Sequence, residues 1–261
     1  MKKILTIGIT LMVMIALTGC KSKDVSSVEA IKKKGELVLL TESGFPPFEY
    51  ADNSSDAVDG VNGVDIEFGK ALADKLGVKL KVIDMDFDSL TVALAANKGD
   101  LIAAGMTNTP ERAEVVDFSQ TYFDNGLFIL LPKGSDIKSV DDLQGKKISV
   151  QQGTTGNIFA DKIEGAEVLE FKGMVEAGLA LTNGNADASI MDVLTAQILV
   201  HNNDKLMLLD NAVESEETAL AVAKGNESLL KEVNELLTEL QADGMIQTWF
   251  DDHFDALLED N

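Results

Sequence analysis

One stretch decides the fold of this chain: Gly105-Met-Thr-Asn-Thr-Pro-Glu-Arg-Ala-Glu-Val-Val-Asp-Phe-Ser119. It follows an apolar run, residues 101–104, that has the length of a short strand. An arginine guanidinium presents a rigid fork of N–H donors that matches a carboxylate, and Thr107 with neighbouring backbone amides can complete a site around Arg112. Open α/β sheets bind ligands at the carboxyl ends of their strands. The stretch therefore predicts an α/β fold with a site for a small anionic group.

Arg112 has a simpler alternative role, a surface ion pair with Glu111 or Asp117, because exposed pairs of this kind are common. As a whole, however, the stretch resembles a motif of the solute-binding proteins of family 3, the amino-acid-binding receptors that feed ABC importers. Their pattern is close to G-M-T-x-T-x-E-R-x-x-x-x-D-F-S, and every fixed position is matched in order. The resemblance implies that Gly105, Thr107 and Arg112 hold an amino-acid ligand.

Residues 1–19 have the pattern of an export signal. Two lysines precede a largely apolar run, residues 4–17, that is too short to span a bilayer comfortably, so a permanent transmembrane anchor is the weaker alternative. The ending Leu17-Thr-Gly-Cys20 resembles a bacterial lipobox, which implies cleavage before Cys20 and a lipid on that residue; a buried structural cysteine is the alternative. Because Cys20 is the only cysteine, no disulfide can form within the chain.

The chain is strongly acidic, with a formal net charge of −22 at pH 7. Residues 1–19 hold two lysines and no acid, so their removal leaves 20 basic and 44 acidic residues, a net charge of −24. Such a surface repels phosphates and anionic membranes. We therefore expect no nucleic-acid partner and attribute membrane attachment to the lipid. Residues 20–35 are interpreted as a tether that ends in a first short helix.

Strand-length apolar runs alternate with helix-length amphipathic segments, which predicts parallel sheets covered by helices. The alternation restarts after Pro132-Lys-Gly134, so we predict two βα series and two sheets. Two apolar runs, residues 126–131 and 218–223, break the alternation and are predicted to cross between two lobes as a hinge at the base of a ligand cleft. The resemblance implies a type II periplasmic-binding-protein-like fold. Lobe 1 is predicted to comprise residues 36–129 and 222–261, and lobe 2 residues 130–221.

The acidic tail, residues 227–258, has its leucines and valines on one helical face. This spacing is typical of a helix that packs on a core. We predict that the tail covers lobe 1; a partner-binding helix is the alternative.

Asp192 is the candidate partner for a ligand ammonium group. It ends an apolar strand and starts a helix, so helix N-capping is an alternative of similar weight. The segment Asn183-Gly-Asn-Ala-Asp-Ala-Ser-Ile-Met-Asp192 is similar to the family pattern N-G-x-A-D-A-x-x-x-D. That resemblance implies contact of Asp192 with the α-amino group.

The segment Gln151-Gln-Gly-Thr-Thr-Gly156 follows a strand and opens a helix, so its N–H groups can face an anion. A plain helix cap is the alternative. The segment also resembles the family loop Q-G-T-T-G, which implies that Thr154 and Thr155 belong to the site and that Thr155 closes on the carboxylate opposite Arg112.

Two aromatic rings are expected to enclose the ligand side chain. Phe45 lies in a loop that looks like the family loop after the first strand, and Phe87 stands where the family often has Trp or Phe. For either ring alone, burial in a core is the alternative. Glu42 or the amide of Gln151 could then read a polar side chain, so a cationic or amide amino acid is the predicted ligand; a solvated Glu42 that does not contact the ligand is an alternative of similar weight.

No cofactor or metal is expected. A calcium-loop start at residues 84–88 lacks the required Gly and Glu, and the two histidines, His201 and His253, are far apart.

The resemblance implies a monomeric binding protein, not an enzyme, that is lipid-anchored at the extracytoplasmic face of the cell membrane and works with the permease and ATPase of an importer. A dehydratase acting on prephenate or arogenate, or a sensory domain, could use the same scaffold. The family resemblance is weakest at Glu217 and Thr218, where members usually have an aromatic residue.

Overall fold

The structure is a computed structural model that describes residues 27–259. The predicted signal segment and Cys20, the predicted site of the lipid, lie outside these residues. Within the described part, no helix is both long and apolar enough to cross a membrane.

The described residues form an α/β protein. The strands are β1 Glu36–Thr41, β2 Gly44–Phe45, β3 Glu49–Ala51, β4 Val61–Asn62, β5 Lys79–Asp84, β6 Leu101–Ile102, β7 Val116–Pro132, β8 Lys147–Gln151, β9 Glu167–Phe171, β10 Ala188–Asp192, β11 Leu206–Leu208 and β12 Glu214–Ala223. The helices are α1 Val28–Lys34, α2 Val64–Leu76, α3 Leu90–Ala95, α4 Pro110–Ala113, α5 Thr155–Ala160, α6 Met174–Thr182, α7 Val193–Asn202, α8 Glu227–Ala242 and α9 Met245–Glu259. Short 3₁₀ turns cover Phe87–Ser89 and Val140–Leu143.

The predicted two-lobed α/β fold is confirmed, with one difference in the sheet. In one lobe β1 pairs in parallel with β5 and β6, and in the other β8 pairs in parallel with β9 and β10. The sequence predicts two separate sheets, but hydrogen bonds join all these strands in the order β5-β1-β6-β12-β7-β10-β8-β9. The reason is the length of β7: its 17 residues extend over roughly 55 Å, so it belongs to both lobes.

The two crossing strands, β7 and β12, pair with each other, and the pairing is antiparallel. Their register shifts between Thr218 and Ala219 and again between Ala219 and Ala221. These irregularities separate the part of the ladder that reaches lobe 2 from the part beside β6. A β-bulge bends a strand locally, so the base of the cleft has a defined point of bending. The residue numbers proposed for the lobe boundaries stay a prediction.

The acidic tail consists of two helices instead of one. α8 ends before Gly244, whose φ of +71° favours glycine, and α9 begins directly after it. The buried face of α8 contains Leu229, Val233, Leu236 and Leu237. These residues pack in the same core cluster as β1 and α2 of lobe 1. This packing explains the apolar spacing of the tail.

Candidate functional site

All ten predicted site residues line one cavity between the lobes. Lobe 1 and lobe 2 both contribute, since loops after parallel strands from each lobe end at the cleft. The predicted lining residues are Glu42, Phe45, Phe87, Gly105, Thr107, Arg112, Gln151, Thr154, Thr155 and Asp192. Sequence reasoning missed five more: Ala104, Leu127, Met174, Met191 and Glu216.

Arg112 is held from three sides. Its Nη1 donates to the Thr107 carbonyl at 2.8 Å, and its Nη2 donates across the cleft to the Gly153 carbonyl at 3.0 Å. The guanidinium lies 5.2 Å from the centroid of the Phe87 ring, a cation–π distance. Burial lowers the pKa of Arg112 to about 10, so the side chain stays charged at neutral pH.

The surface ion-pair alternative for Arg112 is not what the structure shows. Asp117 pairs with Lys224 at 2.8 Å and accepts a hydrogen bond from the Gly225 amide. Glu111 exerts only a secondary electrostatic effect on the pKa of Arg112. Among the described ion pairs, Arg112 takes part in none, which leaves its charge available to the cavity.

Glu216 is the main residue that sequence reasoning missed. Its Oε1 accepts from the Thr107 hydroxyl at 3.1 Å, and the Thr155 side chain lies near enough to lower its pKa. Burial raises the pKa of Glu216, while Thr155, Thr107 and the charge of Arg112 oppose that shift. The usable signal was strand alternation, because Glu216 and Thr218 are buried and Glu217 between them is exposed.

Asp192 caps a helix and also lines the cavity, so its position is compatible with both predicted roles. Its Oδ1 accepts from the Leu194 amide at 2.8 Å, which is an N-cap bond for α7, and the side chain also lines the cavity. Its Oδ2 accepts from the Asn125 side-chain amide. Burial holds the pKa of Asp192 well above its ordinary range. The charge of Glu216 raises this pKa further, while the hydrogen bond from the Leu194 amide lowers it. A cation in the cavity would relieve that cost.

Glu42 and Gln151 meet across the cleft. The Gln151 amide nitrogen donates to Glu42 Oε2 at 3.0 Å and to the Lys172 carbonyl at 2.9 Å. Both N–H groups of Gln151 are thus used, and only its carbonyl oxygen stays open to a ligand. Burial raises the pKa of Glu42, and the hydrogen bond from Gln151 opposes this. This end of the cavity offers hydrogen-bond acceptors, the Glu42 carboxyl and the Gln151 carbonyl oxygen, and is therefore suited to a ligand group that donates hydrogen bonds.

Thr154 and Thr155 have different surroundings. The Thr154 hydroxyl accepts from the Asn157 amide and donates to the Gln151 carbonyl at 2.8 Å. Its polar capacity is therefore used inside α5, as the helix-cap alternative requires. Thr155 instead reaches Glu216 on the opposite wall of the cavity.

Gly105 lies where no larger residue fits. Its φ is +51°, and an added Cβ would lie 2.1 Å from the Phe45 ring. Phe45 in turn stacks on the fully buried Phe48, with ring centroids 5.3 Å apart. The Gly105 amide, which we expected to face an anion, donates inward to Asp65 Oδ2 at 3.0 Å. Gly105 can therefore offer the cavity only its Cα surface and carbonyl.

Several contacts join the two lobes at the mouth of the cavity. Lys172 lies 3.0 Å from Asp86 and 3.3 Å from Asp88. Gly153 approaches so closely that an added Cβ would be 2.9 Å from that of Asp88. Together with the bond from Arg112 to Gly153, these contacts describe lobes that are in touch across the cleft.

Residues of the rejected calcium loop and histidine sites bond to other protein groups. Asp84 accepts from the Ser43 amide and hydroxyl, and His253 Nδ1 shares a hydrogen bond with the Tyr50 hydroxyl at 2.8 Å. No cluster of three or more potential metal ligands occurs in the part of the chain that the structure describes.

Known proteins are similar to this chain over almost its whole length. The arginine-binding extracellular protein ArtP of Bacillus subtilis is 33% identical, over 96% of this chain and 98% of ArtP. The L-cystine-binding protein TcyJ of Escherichia coli is 31% identical, over 93% of each chain.

Solved structures agree with the sequence relatives. A mutant of ArgBP from T. maritima is 38% identical with a TM-score of 0.82, over 87% of this chain and 99% of that one. AbpA from Streptococcus pneumoniae, solved bound to L-arginine, is 31% identical with the same TM-score of 0.82, over 88% and 99%. The ancestral amino-acid-binding protein AncCDT-1, a precursor of cyclohexadienyl dehydratase, is 32% identical with a TM-score of 0.77, over 87% and 98%.

The family itself is identified by a sequence profile. The profile that describes bacterial extracellular solute-binding proteins, family 3, matches residues 37–256. This range includes both lobes, the crossing strands and every residue that lines the cavity. The chain therefore belongs to the family 3 bacterial extracellular solute-binding proteins.

Proposed function

We propose that this protein is a lipid-anchored receptor that binds a cationic amino acid between its lobes and delivers it to an ABC importer. The observation that carries the proposal is the charge of the cavity: three acids, Glu42, Asp192 and Glu216, face one cation, Arg112. An amino acid with a cationic side chain adds two positive groups and one negative group. It therefore compensates this excess better than a neutral amino acid does.

The arrangement supports one orientation of the ligand. The α-carboxylate would lie against Arg112 with the Thr155 hydroxyl and with that of Thr107, which would turn to it from Glu216, and the α-ammonium against Asp192. The side chain would extend between the Phe45 and Phe87 rings toward Glu42 and the open carbonyl oxygen of Gln151. Met174, Met191 and Leu127 supply apolar surface for its aliphatic stem.

A panel of amino acids tests this ligand class. By titration calorimetry we expect arginine or lysine to bind more tightly than leucine or valine by about 5- to 150-fold, because an unpaired buried acid costs about 1–3 kcal/mol. In Glu42→Gln the preference for arginine over glutamine should shrink. Equal binding of leucine and arginine by the parent protein would contradict the proposal.

Ligand binding and lobe closure are proposed to be one event. The contacts of Lys172 with Asp86 and Asp88 and of Arg112 with Gly153 belong to the closed arrangement and would break on opening about the crossing strands. Small-angle scattering should give a smaller radius of gyration with saturating arginine than without ligand. An unchanged scattering profile at saturation would exclude the closure step.

Membrane attachment is proposed to depend on Cys20 alone. In cells, Cys20→Ser should move the protein from the membrane fraction to the soluble or secreted fraction. Arginine affinity should stay the same, since the described cavity is built from residues 42–216. Retention of the variant in membranes would show that another segment anchors the chain.

An enzyme on the same scaffold is the second candidate. It is supported by the likeness to AncCDT-1 and by the acids of raised pKa in the cavity, which could act as general acids. The named relatives with whole-chain similarity are binding proteins, and this supports the receptor. Turnover of prephenate or arogenate by the purified protein would reverse the choice.

A further inference from the structure

Two carboxyl groups that do not line the cavity are buried directly behind its loop. Glu49 and Asp65, called the acid pair below, are both fully buried. Asp65 accepts from the Tyr122 hydroxyl at 2.6 Å through Oδ1 and from the Gly105 amide at 3.0 Å through Oδ2. Neither oxygen of Glu49 has a partner within hydrogen-bond distance among the described residues. The pair thus consists of one well-bonded carboxyl, Asp65, and one, Glu49, whose proton is favoured by the neighbouring Asp65.

The acid pair cannot hold two negative charges at neutral pH. An unbonded carboxylate inside a protein is too costly, so such a group keeps its proton. Burial first, and then the charge of Asp65, hold the pKa of Glu49 well above its ordinary range. The further charges that act on Glu49 are those of Glu42 and Asp192, which are also acids. Burial raises the pKa of Asp65 to about 6, while the bonds from Tyr122 and Gly105 favour its ionised form.

We propose that Asp65 is a positioning residue that holds the Gly105 peptide in the ligand loop, and that it does so while Glu49 carries the single proton of the acid pair. The inference rests on the proposed function of that loop. Gly105 has a positive φ and touches the Phe45 ring, so the peptide has little freedom once its N–H is bonded inward. The same loop continues to Thr107 and Arg112, and its course sets where they stand.

The charge state of the acid pair therefore contributes to the pH range of binding, beside that of Asp192 in the cavity. A proton on Asp65 weakens its bond to the Gly105 amide, so affinity falls as the pH drops through about 6. Loss of the proton from Glu49 would place two charges together without a basic partner among the groups that act on them. Binding then weakens at alkaline pH as well.

The protonation of Glu49 is measured without any ligand. In protein with ¹³C-labelled glutamate side chains, the carboxyl resonance that disappears in Glu49→Gln should have the chemical shift of a protonated group at neutral pH. A resonance that titrates near the ordinary glutamate pKa would overturn the proposal. Because no amino acid is added, failure here is distinct from failure of the proposed function.

The positioning role is measured with arginine. Asp65→Asn should weaken binding about 10- to 100-fold, as expected for loss of a charge-assisted hydrogen bond, and should shift the Gly105 amide resonance. Glu49→Gln should bind within about threefold of the parent at neutral pH and lose the alkaline decrease. The matched control is Asp117→Asn, which alters an aspartate that accepts from a glycine amide outside the cavity; its affinity should not change. Parent-like binding by Asp65→Asn would overturn the proposal.

Tyr122→Phe keeps the test decisive if Asp65→Asn does not fold. Loss of the hydroxyl removes a group that favours ionised Asp65, so the acid limit of arginine binding should move to higher pH. Affinity at about pH 6 should fall severalfold relative to the parent, and affinity at about pH 8 should stay close to it. An unchanged pH profile would show that Asp65 does not act through its charge.

Discussion

Replacing Arg112 by alanine should weaken arginine binding by about 2–5 kcal/mol, which is about 30-fold to several thousand-fold. The change removes the one cation of the cavity and leaves the acids around it, Glu216 above all, without a counter-charge. Arg112 is also the only arginine of the chain, so no second guanidinium can take over. Titration calorimetry with arginine measures the loss directly.

Two controls separate this effect from general damage. Arg112→Lys keeps the charge but loses the planar fork and its two carbonyl contacts, and we expect it not to restore binding. Lys224→Ala removes a cation that lies outside the cavity and pairs with Asp117, and it should bind as the parent does. If Arg112→Ala bound within about threefold of the parent, less than about 1 kcal/mol, Arg112 would not hold the ligand.

Asp192→Ala should have an effect of the same size, about 2–5 kcal/mol of binding free energy, because it removes the predicted partner of the ligand ammonium. This variant also loses the cap of α7, which costs about 1 kcal/mol of stability. Asp192→Asn is the matched variant, since its oxygen can still accept the Leu194 amide while the charge is gone. A large affinity loss in both variants assigns the effect to charge; loss in the alanine variant alone assigns it to the cap.

The pH dependence of arginine binding also tests the predicted contact between Asp192 and the ligand ammonium group. Burial raises the pKa of Asp192, and a bound ammonium group favours the ionised form, so binding releases a proton in the range where Asp192 titrates. Arginine affinity should therefore fall as the pH drops through that range. The decrease should be smaller in Asp192→Asn. An identical pH profile in parent and variant would contradict the predicted contact.

The sequence alone was sufficient to predict the two-lobed fold and the ring of candidate site residues. Alternating βα segments imply parallel strands, and the carboxyl ends of parallel strands meet at one edge. Arg112, Thr155 and Asp192 lie at or beyond the ends of such strands, and the family resemblance supplied their expected roles at the cleft. The helical spacing of the tail likewise predicted a packed face, because periodicity records which side of a helix is buried.

The tertiary structure decided the contacts between distant segments. The role of Glu216 depended on where β12 begins and on its register with β7, since a shift by one residue exchanges the two faces of a strand. Gln151 and Glu42 are 109 residues apart, and Asp65 bonds to a loop 40 residues away. No local pattern encodes such pairs, because their partners are distant in the chain and meet only in the folded structure. The amino-acid sequence therefore determined which side chains reach the cleft, and packing between distant segments determined their hydrogen bonds and charges there.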